Sequence, residues 1–171
     1  MKIYYLKTFL FLFYIGNAAA LPDCPDSEEF NNCYGTKVFE NRTYAGDWQD
    51  GKQHGQGSLT FEDGSKYEGG FENSMYNGSG TFTWADGGKY IGEFKDDAFD
   101  GEGTLNFSDG GKYSGGFSKN KRSGQGILVS PDGDKYVGEF SDGSKNGQGT
   151  YTWTDGRIQT GLWQNDVFLG Q

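Results

Sequence analysis

A chain of 171 residues with 24 acidic and 15 basic side chains carries a formal charge of −9, which repels a phosphate backbone and excludes nucleic acid as a partner. Thirty glycines leave no room for a helix of ordinary length beyond the first 20 residues, and one histidine with two cysteines falls short of the four ligands of a structural zinc site. The length fits one domain.

Residues 1–20 set Lys2 and Lys7 ahead of the apolar run Phe9 to Ile15 and finish on Asn17-Ala18-Ala19-Ala20. A charged start, a short apolar run and small residues before a cleavage point are what signal peptidase reads, so a secretory signal peptide removed after Ala20 is expected. The run is much shorter than the roughly 20 apolar residues that cross a bilayer. Export to the periplasm or the extracellular space follows. Once Lys2 and Lys7 are gone, 13 basic residues stand against 24 acidic ones, a charge of −11.

Residues 21–43 are expected to form an N-terminal cap with a partial repeat. Cys24 and Cys33 lie in an oxidising compartment if the chain is exported, and a disulfide between them would contribute roughly 2 to 3 kcal/mol in the chain-entropy model. The alternative, a redox or metal pair, lacks the two-residue spacing of catalytic pairs and the further ligands a metal takes. Cys33-Tyr34-Gly35-Thr36-Lys37-Val38-Phe39 resembles the second strand of the units that follow. Phe39, however, lies five residues before Tyr44, where Phe61 lies six before Tyr67, so a different turn or a bulge is expected at this entry.

Residues 44–158 repeat. Tyrosine returns at Tyr44, Tyr67, Tyr90, Tyr113 and Tyr136, every 23 residues without slippage, and a fixed period of that size marks a stacked array. With each tyrosine as position 1, position 3 is Gly46, Gly69, Gly92, Gly115, Gly138 and, in a partial sixth unit, Gly161. Position 5 is Trp48, Phe71, Phe94, Phe117, Phe140 and Trp163. Glycine holds position 12 from Gly55 to Gly170 and position 14 from Gly57 to Gly149, and apolar side chains follow at position 16 and, Ser130 excepted, at position 18. Each of the five full units closes on Asp-Gly, first at Asp63-Gly64.

Shared parity puts positions 1, 3 and 5, and likewise 12, 14, 16 and 18, on one face of two strands, with Thr60, Thr83, Asn106 and Thr152 on the other. The pattern predicts consecutive β-hairpins turning at Asp-Gly, which supplies the positive φ. Glycine at positions 3, 12 and 14 is expected to leave room for rings lying flat on the backbone. The expected aromatic stack runs through Tyr44, Trp48, Tyr67, Phe71, Tyr90, Phe94, Tyr113, Phe117, Tyr136, Phe140 and Trp163. A lone hairpin is marginal in water, so each unit must cover its neighbour's rings.

Tyr-x-Gly-x-[Phe/Trp], then Gly-x-Gly-x-[Leu/Phe/Tyr], then Asp-Gly, resembles the MORN repeat family over Tyr44 to Ile158 and again over Gln159 to Gln171. The resemblance implies an all-β fold, an elongated single-layer antiparallel sheet of consecutive hairpins with an aromatic groove. It also implies non-catalytic roles in scaffolding, protein association and membrane attachment.

Residues 159–171 make the partial sixth unit or C-terminal cap. There Val167-Phe168-Leu169 replaces polar loop residues such as Lys52-Gln53-His54, either folding back as a cap or facing a partner. In the fourth unit Ser130-Pro131 removes an aromatic contact. His54 reads as an exposed loop histidine, and no nucleophile set can be assembled around it. Asp96, Asp97, Asp100 and Glu102 crowd one loop, where the plainer reading is a solvated turn rather than a calcium site. Asn41, Asn77 and Asn106 open glycosylation sequons, the first two in turns. No cofactor and no catalysis are expected. The first functional reading is an exported scaffold with a protein partner, including a homodimer through the terminal strand. The alternative is a module holding a glycan or extended peptide on the aromatic groove. The acidic balance speaks against direct binding to anionic lipid.

Overall fold

Period-2 alternation broken by turn residues yields thirteen strands and no helix among the described residues. The computed structural model describes residues 20–25 and 30–171, so the expected signal peptide up to Ala19 lies outside the described residues. The strands are β1 (Cys33–Val38), β2 (Arg42–Gln49), β3 (Lys52–Phe61), β4 (Lys66–Glu72), β5 (Met75–Thr83), β6 (Lys89–Lys95), β7 (Ala98–Asn106), β8 (Lys112–Ser118), β9 (Lys121–Val129), β10 (Lys135–Ser141), β11 (Ser144–Thr152), β12 (Ile158–Gln164) and β13 (Val167–Gly170). They form one open sheet in chain order. From Tyr67 onward every tyrosine at position 1 faces position 16 on both sides, as Tyr67 faces Leu59 and Phe82, while Tyr44 faces Lys37 of β1 and Leu59; glycine faces glycine at Gly46, Gly57 and Gly69.

Two kinds of turn alternate. Between units the Asp-Gly turn behaves as expected: Gly64 takes φ +90°, Gly64 N–H donates to the Phe61 carbonyl at 3.1 Å, and Phe61 N–H donates to Ser65 at 2.9 Å. That is a three-residue loop closed by a left-handed glycine. Within units the turn has two residues, both at positive φ: Asp50-Gly51, Asn73-Ser74, Asp96-Asp97, Lys119-Asn120, Asp142-Gly143 and Asn165-Asp166. So tight a turn lengthens the following strand. Lys52-Gln53-His54 therefore belongs to β3 and not to a loop, and His54 is half-buried rather than exposed. For the same reason Asn77 lies in β5, Asp100 and Glu102 lie in β7, and Val167-Phe168-Leu169 forms β13.

The glycines at position 12 have a different cause from the one expected. Gly46 faces Gly57 but Trp48 faces Gln53, so β3 carries two extra residues on that step. Gly55 sits in this bulge at φ +60°, and Gly78 and Gly124 repeat it at +75° and +70° with no atom within 4 Å of an added Cβ. Backbone conformation, not room for a ring, selects glycine there.

The entry hairpin has a shorter turn, Phe39 N–H donating to the Arg42 carbonyl at 2.8 Å, and an unbroken register from Cys33–Trp48 to Val38–Thr43. The missing residue is absorbed in the turn without a bulge. Cys24 and Cys33 form a disulfide with Cα atoms 4.8 Å apart. It holds Pro22–Cys24 along the outer edge of β1, where Cys24 N–H donates to Tyr34 and Tyr34 N–H to Pro22, both at 2.8 Å. No comparable segment covers β13 among the described residues.

Candidate functional site

One face of the sheet is a continuous aromatic surface built in three rows. The lowest row is tyrosine: Tyr44, Tyr67, Tyr90, Tyr113 and Tyr136 are each exposed by 1% or less. Each ring lies over the glycines at positions 3 and 14; a Cβ on Gly103 would come within 2.5 Å of the Tyr90 hydroxyl and 2.6 Å of its ring. Lying that way, the ring delivers its hydroxyl to the backbone carbonyl of position 4. Tyr44 donates to Asp47 at 2.8 Å, Tyr67 to Gly70 at 2.8 Å, Tyr90 to Glu93 at 2.9 Å, Tyr113 to Gly116 at 3.0 Å and Tyr136 to Glu139 at 3.2 Å. The bond explains why position 1 is tyrosine and not phenylalanine. Burial pushes the Tyr90 and Tyr113 hydroxyls up to about 12 and raises those of Tyr44, Tyr67 and Tyr136 as well.

The second row is position 5. Trp48, Phe71, Phe94, Phe117, Phe140 and Trp163 are buried, and each meets tyrosines edge-on rather than as the stacked column expected. Phe94 lies 5.1 Å from Tyr90 at 90° and 4.9 Å from Tyr67 at 81°. The same bridge joins Phe71, Phe117 and Phe140 to the tyrosine of their own unit and of the one before, and Trp163 ties itself to Tyr136. Edge-to-face contact is the arrangement that ring quadrupoles favour. Tryptophan takes this position at both ends, where its indole N–H donates to a backbone carbonyl: Trp48 to Gly35 at 3.0 Å and Trp163 to Gly149 at 3.2 Å.

The third row, position 10, escaped the sequence reading. Gln53, Tyr76, Phe99, Arg122, Lys145 and Phe168 each face position 5 across the hairpin. Tyr76 stacks on Tyr67 at 3.9 Å and Phe99 on Tyr90 at 3.8 Å. Arg122 holds its guanidinium 5.8 Å from Tyr113 and 5.2 Å from Phe140. Lys145 places its ammonium 4.6 Å from Trp163, 4.9 Å from Tyr151 and 5.6 Å from Tyr136, and burial lowers its pKa, with Asp166 opposing that shift and Arg122 adding to it. The backbone of this row is clamped by the next unit's tight turn. Asp97 accepts from Tyr76 N–H at 2.7 Å, Asn120 from Phe99 N–H at 2.8 Å and Asp166 from Lys145 N–H at 2.9 Å. Gly143 has no side chain to repeat this, and there the Arg122 guanidinium donates to the Gly143 carbonyl. The signal available in the sequence was parity, since position 10 shares that of positions 12 to 18. It was masked by the variety of residues and by the assumption of a loop.

Phe61, Phe82, Trp84, Leu105, Leu128 and Tyr151 pack half-buried beside these rows. In β13, Phe168 meets Trp163 at 5.2 Å while Val167 and Leu169 remain 60% and 56% exposed, so one residue caps and two face outward. The opposite face is less polar than expected, with Ile91, Ile127, Val137 and Leu162 exposed on it. Among the described residues no three of His, Cys, Asp and Glu gather as a cation site. His54 contributes its carbonyl, an acceptor for the Tyr44 hydroxyl at 3.4 Å.

The family model for the MORN repeat matches five consecutive units, at residues 44–66, 67–89, 90–112, 113–135 and 136–156. The chain belongs to the MORN repeat family. No curated protein sequence matches it. Among solved structures, the TCP domain of Drosophila melanogaster SAS-4 (dCPAP), described in complex with a proline-rich motif of Ana2 (dSTIL), is similar at a TM-score of 0.45 and 12% identity, over 73% of this chain and 69% of that one. Within this MORN array, positions 1, 3, 5 and 14 build the sheet and position 10 decorates it.

Proposed function

We propose that this protein is an exported, non-catalytic association module whose aromatic face receives a segment of a partner protein. The carrying observation is the contrast between rows. Positions 1, 3, 5 and 14 hardly change from unit to unit, whereas position 10 holds a buried Gln53 and then offers Tyr76, Phe99, Arg122, Lys145 and Phe168, each half-buried, at one repeated place. A row with only a structural duty repeats like its neighbours, and a row that varies on a fixed frame is how a repeat array addresses a partner. Export is supported by the pattern of residues 1–20 and by the disulfide, which persists in oxidising compartments. Family membership and the structural duties found for His54 and the acidic side chains support the non-catalytic reading.

The test is selection of peptides from a random display library by the oxidised protein. Peptides are expected to be enriched, and their binding to be lost in Tyr76→Ser with Phe99→Ser while the melting transition stays cooperative. Absence of enrichment, or binding that survives both substitutions, would overturn the reading.

The uncovered edge of β13 favours a second mode, pairing of two copies through that strand. Because the disulfide-held segment covers β1, this pairing closes as a symmetric dimer and does not propagate. Light scattering across a concentration series is expected to show a dimer that dissociates when residues 166–171 are removed, and a monomer at every concentration sinks it.

A further inference from the structure

The position-10 row is not uniform in charge. Through the second and third units it is aromatic, Tyr76 and Phe99, bordered by Phe82, Trp84 and Leu105. In the fourth and fifth it is cationic, Arg122 and then Lys145. Burial lowers the Lys145 pKa, the Asp166 carboxylate opposes that shift, and Arg122 adds to it, so the two cations lie within each other's field. Neither makes an ion pair: the pairs among the described residues are Lys66–Glu68, Lys121–Asp142 and Arg157–Asp155. A chain with 24 carboxylates therefore leaves two neighbouring cations on its aromatic face without one. Ring faces steady a cation but accept none of its N–H bonds in the way a carboxylate does.

We infer that the aromatic face takes an extended acidic segment of a partner protein, with an aromatic or large aliphatic side chain against Phe99 and carboxylates on Arg122 and Lys145. The spacing follows from the sheet. Position-10 side chains of successive units stand two strands apart, about 9.6 Å, and a segment in the extended polyproline II form, which returns a side chain to the same face every three residues at about 3.1 Å each, covers that distance in one turn. The segment thus carries an apolar residue, an acid three residues further and a second acid three beyond that. A polypeptide fits better than an acidic polysaccharide, because the half-buried rings of Phe82, Trp84 and Phe99 suit an apolar side chain, and the carboxylates beside the cations are already engaged, Asp134 by the Tyr151 hydroxyl at 2.9 Å and Asp166 by Lys145 N–H at 2.9 Å.

This inference rests on the association reading, and one experiment separates the two. A random twelve-residue peptide library is selected on the wild-type protein and on Arg122→Gln with Lys145→Gln, both checked for unchanged melting. Wild type is expected to enrich peptides with acids three residues apart next to an apolar residue at the same spacing. The variant is expected to bind those peptides at least about fivefold more weakly and to enrich apolar peptides without acids. Enrichment on wild type without acid preference, or acid preference that persists in the variant, overturns the inference and leaves the association reading standing. No enrichment on either protein overturns both, as does saturable binding of polygalacturonate fragments that depends on Arg122 and Lys145 in the absence of peptide binding.

Discussion

The tyrosine at position 1 joins three requirements: ring area, a flat glycine bed and a hydroxyl aimed at the carbonyl of position 4. Removing the hydroxyl alone isolates the third. Tyr67→Phe leaves the buried Gly70 carbonyl without its 2.8 Å donor, and a loss of about 1 to 2 kcal/mol is expected in urea unfolding. The glycine bed is tested by contrast. Gly103→Ala drives a methyl to 2.5 Å from the Tyr90 hydroxyl and 2.6 Å from its ring, costing about 3 kcal/mol. Gly78→Ala meets no atom within 4 Å and costs about 1 to 2 kcal/mol through its φ of +75° alone. The hydroxyls also set a pH limit. An unfolded tyrosine ionises near its ordinary value of 10.0, whereas Tyr90 and Tyr113 in the fold hold their protons to about 12. Between these values the unfolded chain binds fewer protons than the folded one, so stability falls as pH rises above 10. Urea midpoints measured at rising pH are expected to be level below pH 9 and to drop steeply above 10. At this scale rows 1, 3, 5 and 14 were legible because identical residues recur. Row 10 was not, because its duty varies while its geometry does not, and sequence periodicity detects only identity.

The strands were legible as elements, and their turns only half so. Asp-Gly announces the turn between units, but within units only Asp50-Gly51 and Asp142-Gly143 carry that signal. Asn73-Ser74, Lys119-Asn120 and the rest reach positive φ because the flanking strands pair up to the turn and the preceding unit bonds it, as Phe99 N–H donates to Asn120. Tertiary context there overrides residue preference. Strand ends and the bulge at Gly55 were missed for the same reason, since the hydrogen bonds that set them come from a neighbouring strand. The N-terminal cap shows what an edge needs. Cys24 and Cys33 pin Pro22–Cys24 onto β1, and among the described residues two backbone hydrogen bonds at Tyr34 hold that cover beside the disulfide. Cys24→Ser with Cys33→Ser is expected to expose β1 beside the open β13, turning a closed assembly into an extending one. Light scattering of the double variant should show mass that grows with concentration. A mass equal to that of the wild type at every concentration would mean that β1 is covered by other means.

Across the whole molecule each unit touches only its neighbours, and no phase error accumulates over five units of 23 residues. Stability in such an array is a sum of units and of the junctions between them. Removing Tyr90–Lys112 brings Lys89 before Tyr113, and Tyr67, which now meets Phe94, then meets Phe117 in the same edge-on place. The same geometry is rebuilt with one unit fewer. The shortened chain is expected to unfold in one transition with an m-value lower by roughly a sixth, because m follows the surface exposed on unfolding. It should also lose Phe99 from the row and so bring Arg122 next to Tyr76. Removing instead only Lys95–Asn106 joins Phe94 to Phe107 across a missing strand and puts two strands of like direction side by side with no crossover between them. Antiparallel pairing then cannot continue, and the near-ultraviolet dichroism of the aromatic rows is expected to collapse. Retention of that signal after the twelve-residue deletion would show that the array tolerates a broken phase, and that the tyrosine rows are not held by the register described.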